Sequence, residues 1–364
     1  PEIANKAAHL FKPVDAYRTQ WSGGFGGGGR GGSAVGANPQ SGAVIYYNLK
    51  SPNQKVTLDF MDAKGEVIQS FTSDMDPEAA ADSVRQEQMR AARVDSLVRA
   101  GASRDSAMRV VRAAAGGPGG GGGFGGARRP RVPNRAGLNT FAWNLRYPDA
   151  VTFDNLIMWA ASTTGPVAPP GTYAVKLTAG GESQTQRFVV KKDPRGTATD
   201  ADLQEQFRLL IAIRDKTTEA NNAIRMVRNM RWNVNDRTGK LTGDKANEFK
   251  SIAGTMMTEL TSAEQEVYQT KNESNQDPLN FPIKLNNEIA GVASFVGQGE
   301  YRPTKQSYQV FEELKVELDK QLKALKGSLD SNLPKLNAIL RAAGLEELKP
   351  STEEIKPQRP NVVS

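Results

Sequence analysis

The side chains that could do chemistry in this chain are few, and their spacing narrows the choice further. There is one histidine, His9, and no cysteine among 364 residues. A thiol nucleophile, a disulfide, a thiolate metal site and a multi-histidine metal centre are therefore excluded. His9 could act as a general base, but no serine-nucleophile motif accompanies it, and an ordinary polar position near the terminus is the plainer reading. Asp59, Asp62, Asp74 and Asp76 form a loose acidic group without the D-x-[DN]-x-[DN]-G order of a calcium loop, so turn and cap duty is expected of them. Two glycine tracts, GGFGGGGRGG at 23–32 and GGPGGGGGFGG at 116–126, could suggest a phosphate cradle. Such a cradle needs a Lys and a Ser or Thr at a helix start, and neither tract supplies them. They read as linkers or docking loops, with Phe25 and Phe124 as anchors. No catalytic residue, metal ligand or cofactor site is expected.

Charge gives the more informative signal. Lys and Arg number 47 against 40 Asp and Glu, for a net +7. Residues 76–135 hold eleven Arg and six acids, so that stretch supplies +5 of the surplus. Arg85, Arg90, Arg93, Arg99, Arg104, Arg109 and Arg112 follow one another with Glu87, Asp95 and Asp105 interleaved, and no aromatic platform accompanies them. That pattern suits a solvated helix face, or a contact with a protein or membrane surface, better than an RNA-binding Arg–Gly segment. The expected partner-binding residues are Trp21, Phe25, Arg30, Phe124, Arg128, Arg129 and Arg131. Neither nucleic acid nor a small-molecule substrate is expected as a partner.

Positioning these residues falls to two kinds of element. Length predicts two domains, and a mean hydropathy of −0.52 describes a polar globular chain. No apolar run reaches the ~18 residues that span a bilayer. AVIYYNL (43–49), the alternating 55–61, 67–71 and NTFAWNL (139–145) read as strands, as do TYAVKLT (172–178) and SQTQRFVVK (183–191). Asp62-Ala63-Lys64-Gly65 and Ala179-Gly180-Gly181-Glu182 read as their turns. Trp143, Tyr147, Trp159 and Tyr173 are expected to fill the core between the sheets.

Asp76-Pro77-Glu78 starts a helix that breaks at Gly101 and restarts from a Ser103 cap through about Ala115. Residues 74–136 are therefore a helical, Gly- and Arg-rich insertion in one loop. From Thr199 and Asp200 the text turns helical, with helices expected at about 200–234, 243–274, 284–296 and 303–326 and a short one near 333–343. The predicted fold is α+β: an Ig-like antiparallel β-sandwich over 42–195, preceded by an extended segment with a Gly-rich loop (1–41). An antiparallel α-helical bundle (196–343) and an extended tail (344–364) follow it.

GLNTFAWNL (137–145), PPGTYAVKLT (169–178) and FVVKKDPR (188–195) resemble the Ig-like module at the end of bacterial sortilin-like β-propeller proteins. That module is in turn similar to the Ig-like domain of flagellar hook-capping proteins. QFRLLIAIRD (206–215), DPLNFPIKLNNEIA (277–290) and YRPTKQSYQVFEEL (301–314) resemble the bundle that follows it. The likeness covers roughly 40–60 and 137–315. The insertion and the tract at 23–32 depart from the pattern. The Asp-box repeat S-x-D-x-G-x-T-W of those propellers does not occur in this sequence. The resemblance thus implies a secreted, non-catalytic C-terminal segment.

The expected function is that of a structural or scaffolding subunit, not an enzyme. It would bind protein subunits of a larger extracytoplasmic (periplasmic) assembly, with possible membrane-surface contact but no span. A photosynthetic reaction-centre and antenna complex is one candidate. The alternatives are an accessory part of a secreted propeller-type hydrolase and an Arg–Gly nucleic-acid binder. The opening Pro1-Glu2-Ile3, without Met or a signal segment, reads as the start of a processed or truncated piece.

Overall fold

The computed structural model describes residues 6–19, 41–74, 91, 94–99, 103–116 and 130–353. The chain is an α+β protein, with β-sheets in its N-terminal part followed by a long helical region. It divides into two compact units. One comprises the chain up to Leu145 together with Pro170–Asp193, and the other comprises Arg146–Pro169 with the chain from Pro194 onward.

Among the described residues the first unit holds eight strands: β1 (Ala8–Leu10), β2 (Ala16–Tyr17), β3 (Ala43–Leu49), β4 (Val56–Met61), β5 (Val67–Thr72), β6 (Gly137–Trp143), β7 (Gly171–Ala179) and β8 (Glu182–Lys191). They form a three-stranded sheet, β1-β3-β6, and a five-stranded sheet, β2-β8-β7-β4-β5. Period-2 alternation sets which side chains go inside. Ala43, Ile45, Tyr47 and Leu49 of β3 are buried, as are Val56, Leu58 and Phe60 of β4. The two sheets meet through aromatic rings. Phe60 of the larger sheet stacks on Trp143 of the smaller at 4.8 Å, and Phe71 meets Phe141 at 4.9 Å. Tyr173 lies 5.8 Å from Trp143, and Phe188 packs against both rings. Burying one such ring is worth about 1.5–3 kcal/mol, before any gain from ring–ring geometry.

The pairing is not wholly antiparallel. β2 runs parallel to β8, Ala16 opposite Val190. It reaches that edge from the other sheet's β1, and a chain that changes sheets can arrive in either direction. Two turns show why glycine is needed locally. Gly180 and Gly181 join β7 to β8 with φ of +61° and +82°, the left-handed pair that matches strand twist. A Cβ on Gly42 would lie 2.1 Å from the Trp143 carbonyl oxygen, so only glycine fits there.

Among the described residues, the second unit is built from four long or medium α-helices. α1 is the insertion helix Arg104–Gly116 of the first unit; the bundle consists of α2 (Asp200–Lys240), α3 (Gly243–Val267), α4 (Leu285–Val296) and α5 (Lys305–Ala342). Thr199 caps α2 through a reciprocal capping box with Asp202. The hydrogen bonds Thr199 makes to the Asp202 carboxylate hold it below its usual range. One apolar core gathers Val227, Met230, Phe249, Met256, Leu260, Leu336 and Leu340; another gathers Ile213, Ile224, Val267, Ile289, Val296 and Leu318.

Three boundaries differ from the sequence expectation. α2 continues past Val234 to Lys240, its last turn held by an Asp236–Lys240 ion pair and by Arg237, which is buried. α3 ends at Val267 because Tyr268 turns to extended backbone, packing its ring 5.0 Å from Phe153. α5 is one helix, not two, and carries Pro334 inside it. Its buried side chains Leu318, Leu325, Leu329, Asn332, Leu336 and Leu340 form one continuous stripe, which a break would throw out of phase. Asn332, two residues before the proline, donates through Nδ2 to the Ser328 carbonyl (2.9 Å).

Candidate docking surface

The insertion leaves and re-enters the first unit through a short neck. Val132 N–H donates to the Thr72 carbonyl (3.1 Å), and the Arg131 guanidinium donates to the Ser73 carbonyl. Asn134 Nδ2 reaches the Gln54 carbonyl, and the Tyr47 hydroxyl donates to the Pro133 carbonyl. Burial pushes the Tyr47 hydroxyl pKa well above its usual value. The ends of a long loop are thus tied where they meet the sheet, which leaves the loop body free to be long.

Within it, residues 94–99 are helical, and α1 follows after a Ser103 cap, whose Oγ accepts the Ser106 N–H (3.3 Å). Val94 and Ala107 are buried against each other with Leu97 packed alongside. Val98, Met108 and Val110 stay exposed, at 39%, 48% and 53%. Arg99, Arg104 and Arg109 are exposed on the same two helices. Among the described residues of these helices, the buried apolar contact is this one small cluster.

Of the sequence-predicted contact residues, Arg131 is described, and its guanidinium serves the neck. Trp21, Phe25, Arg30, Phe124, Arg128 and Arg129 lie outside the described residues, as do both glycine tracts except Gly116. His9 lies in β1, opposite Asn48, its ring edge-on to Phe11 at 4.8 Å. Asp62 Oδ1 accepts the Lys64 and Glu66 amides in the β4–β5 turn; Asp59 accepts the Ser70 hydroxyl and Asp74 pairs with Lys55. Asp76 lies outside the described residues. Among the described residues no group of three or more His, Asp or Glu could hold a metal ion, and no helix is long and apolar enough to cross a membrane.

The aromatic reading needs correction at two positions. Trp143 and Tyr173 do fill the sheet–sheet core, but Tyr147 packs edge-on against Phe207 of α2 at 4.7 Å, and Trp159 is 39% exposed. Both belong to residues 146–169, which the sequence reading kept with the strands. The hydrogen bonds of this segment run to helices instead. Asn221 Nδ2 donates to the Val151 carbonyl (2.6 Å), Arg214 to Pro148 (2.9 Å) and Arg228 to Asp154 (3.1 Å). The Tyr268 hydroxyl donates to the Asn155 carbonyl and accepts the Ile157 N–H. Asn287 brackets one residue from both sides: its Oδ1 accepts the Trp159 N–H (2.6 Å) and its Nδ2 donates to the Trp159 carbonyl (2.9 Å).

Sequence reasoning missed this strap and the amides that hold it. Asn221, Asn286 and Asn287 are all buried, with Asn286 Nδ2 donating to Asn221 Oδ1 (3.1 Å). The available signal was the Asn286-Asn287 pair at the apolar start of α4, since buried amides must find partners. Beside the strap, Glu264 is buried and pairs with Arg231 (2.5 Å) and Arg228 (3.6 Å). Arg228 in turn lies 4.6 Å over the Phe153 ring and 5.6 Å from Tyr268. This carboxylate is fully engaged by cations and has a structural task, locking α3 to α2 and the strap. No protein family, curated protein or solved structure matches this chain.

Proposed function

We propose that this chain is a non-catalytic docking subunit that binds protein components of a larger extracytoplasmic assembly through the helical insertion. The observation that carries the reading is that, among the described residues of the insertion, two helical segments follow one another near a hydrogen-bonded neck with Val98, Met108 and Val110 left exposed. Exposed apolar side chains flanked by arginines make an anchor-and-rim surface that a less basic or acidic protein face would cover. The β unit is read here as an Ig-like sandwich, and the chain as similar to the segment that follows the propeller in sortilin-like proteins; the sequence blocks given above support this. A periplasmic, peripheral location follows from the same reading.

The test uses the full chain in its native extract. On sedimentation it is expected to travel with a large assembly. A variant in which residues 75–129 are replaced by a short Gly–Ser linker should sediment alone while keeping the near-ultraviolet circular dichroism of its aromatic core. Val98→Asp with Met108→Asp should release the chain in the same way. A native chain that sediments as a free monomer overturns the proposal.

A further inference from the structure

Among the described residues of the bundle unit, three exposed aromatic side chains, Trp159, Phe295 and Tyr301, are tied together. Trp159 is fixed by the two Asn287 hydrogen bonds. The next residue, Ala160, has φ +49°, a left-handed conformation that costs an alanine energy and persists only where its surroundings impose it. Its carbonyl accepts the Ser294 hydroxyl (3.2 Å) from the far end of α4. Phe295 follows Ser294 and is 72% exposed. The Phe295 carbonyl accepts the Tyr301 hydroxyl, which ties down a third ring, 39% exposed. Trp159, Phe295 and Tyr301 are therefore linked by a chain of hydrogen bonds while their rings stay open to solvent. A Cβ placed on Gly291, between the two tie points on α4, would meet no heavy atom within 4 Å. Space is therefore left beside the strap.

Charge beside these rings is confined to one end: Glu300 and Arg302 flank Tyr301, and Arg302 pairs with Glu205 (2.6 Å). Residues 155–169 contain no Asp, Glu, Lys, Arg or His, and neither do 289–299. What they offer instead is hydroxyl and amide groups: Ser162, Thr163, Thr164, Ser294 and Gln298. The cation beside Tyr301, Arg302, is paired with Glu205 and Asp202, so in a protein of net +7 this surface carries no basic excess to attract an anionic lipid or nucleic acid. An aromatic face next to neutral hydrogen-bonding groups complements a pyranose, whose ring presents C–H bonds on its faces and hydroxyls at its rim.

We propose that this surface binds a neutral oligosaccharide, with the Trp159, Phe295 and Tyr301 rings as stacking faces and the 162–164 hydroxyls at the rim. The inference does not depend on the insertion. An open platform of this kind gives weak affinity, a Kd of about 0.1–1 mM.

The experiment titrates the full chain with cellohexaose and, separately, maltohexaose by calorimetry, and with phosphatidylcholine vesicles by sedimentation. Binding of at least one hexasaccharide is expected. Trp159→Ala and Phe295→Ala should each weaken it about tenfold. Trp159→Phe should keep most of it, and Trp232→Ala, an exposed ring on α2, should leave it unchanged. Melting curves of Phe295→Ala matching the parent separate loss of a contact from loss of fold. Three results overturn the proposal: no heat with either sugar at millimolar concentration, sugar binding indifferent to Trp159→Ala and Phe295→Ala, or binding to the vesicles instead.

Discussion

The two units bury different chemistry. Among the described residues of the β unit, Ser73 and Asn139 are the buried polar side chains, and the rest of its interior is apolar, with six aromatic rings at the meeting of the sheets. The helical unit buries Gln206, Thr217, Asn221, Asn229, Arg237, Glu264, Asn286, Asn287, Ser328 and Asn332. The difference follows from what each must hold. Strands satisfy one another's backbone groups, so their side chains are free to be apolar. The helices satisfy their own backbones but carry non-helical segments, 146–169 and 344–353 among them, whose amides and carbonyls need partners. Asparagine meets that need because it donates and accepts at once. Asn287 brackets Trp159, and Asn337 brackets Leu348 in the same two-way manner, at 2.8 and 3.0 Å. Asn229 donates to the Ser351 carbonyl further along.

If the β unit is held by its rings, Phe60→Ala should be the most damaging change, costing about 3–5 kcal/mol in urea unfolding followed by near-ultraviolet circular dichroism. In the helical unit, Glu264→Ala should cost about 2–3 kcal/mol, since it strands two arginines that are only partly exposed. Asn287→Ala should cost about 1–2 kcal/mol and open 155–165 to protease, because it leaves both polar groups of Trp159 unpaired. Limited proteolysis without new cleavage there would mean that the strap is held by its apolar contacts alone. Gly291→Ala should raise stability by about 0.5–1 kcal/mol, since the position is helical and open.

The smallest effect is on pH. Asp202, Glu205 and Asp277 all have carboxyl pKa values lowered in the folded chain, by hydrogen bonds from Thr199, from Arg302 and Tyr308, and from Glu273 and Ser274 respectively. Their unfolded values lie near 4, so their stabilisation is complete above about pH 5. It is lost as pH falls through the lower folded values. Acid titration of the melting temperature should show that decline shrink in Asp202→Asn.

Much of this architecture was legible in the residues. The Val, Ile and Tyr of 43–49 and the alternation in 55–61 placed strands, the Gly180-Gly181 pair placed a hairpin, and Thr199 and Ser103 placed helix starts. These are local effects, set by sterics and by nearest hydrogen bonds. The course of the chain between Arg146 and Pro169 was not legible, because a charge-free stretch with scattered apolar residues has no period to read. The persistence of α5 through Pro334 was hidden for a related reason. Local propensity argues for a break, and only the stripe from Leu318 to Leu340 packed into the helical cores outweighs it.

The sequence alone therefore determined which chemistry this protein lacks, with one histidine and no cysteine, and which segments alternate as strands or repeat as helices. Tertiary structure decided where Trp159 sits, which asparagines are buried and which arginine braces the neck. Those outcomes depend on pairing between residues far apart in the chain, such as Asn287 with Trp159 and Arg131 with Ser73. A buried amide or a tethered ring is defined by its distant partner, and no local pattern records that partner.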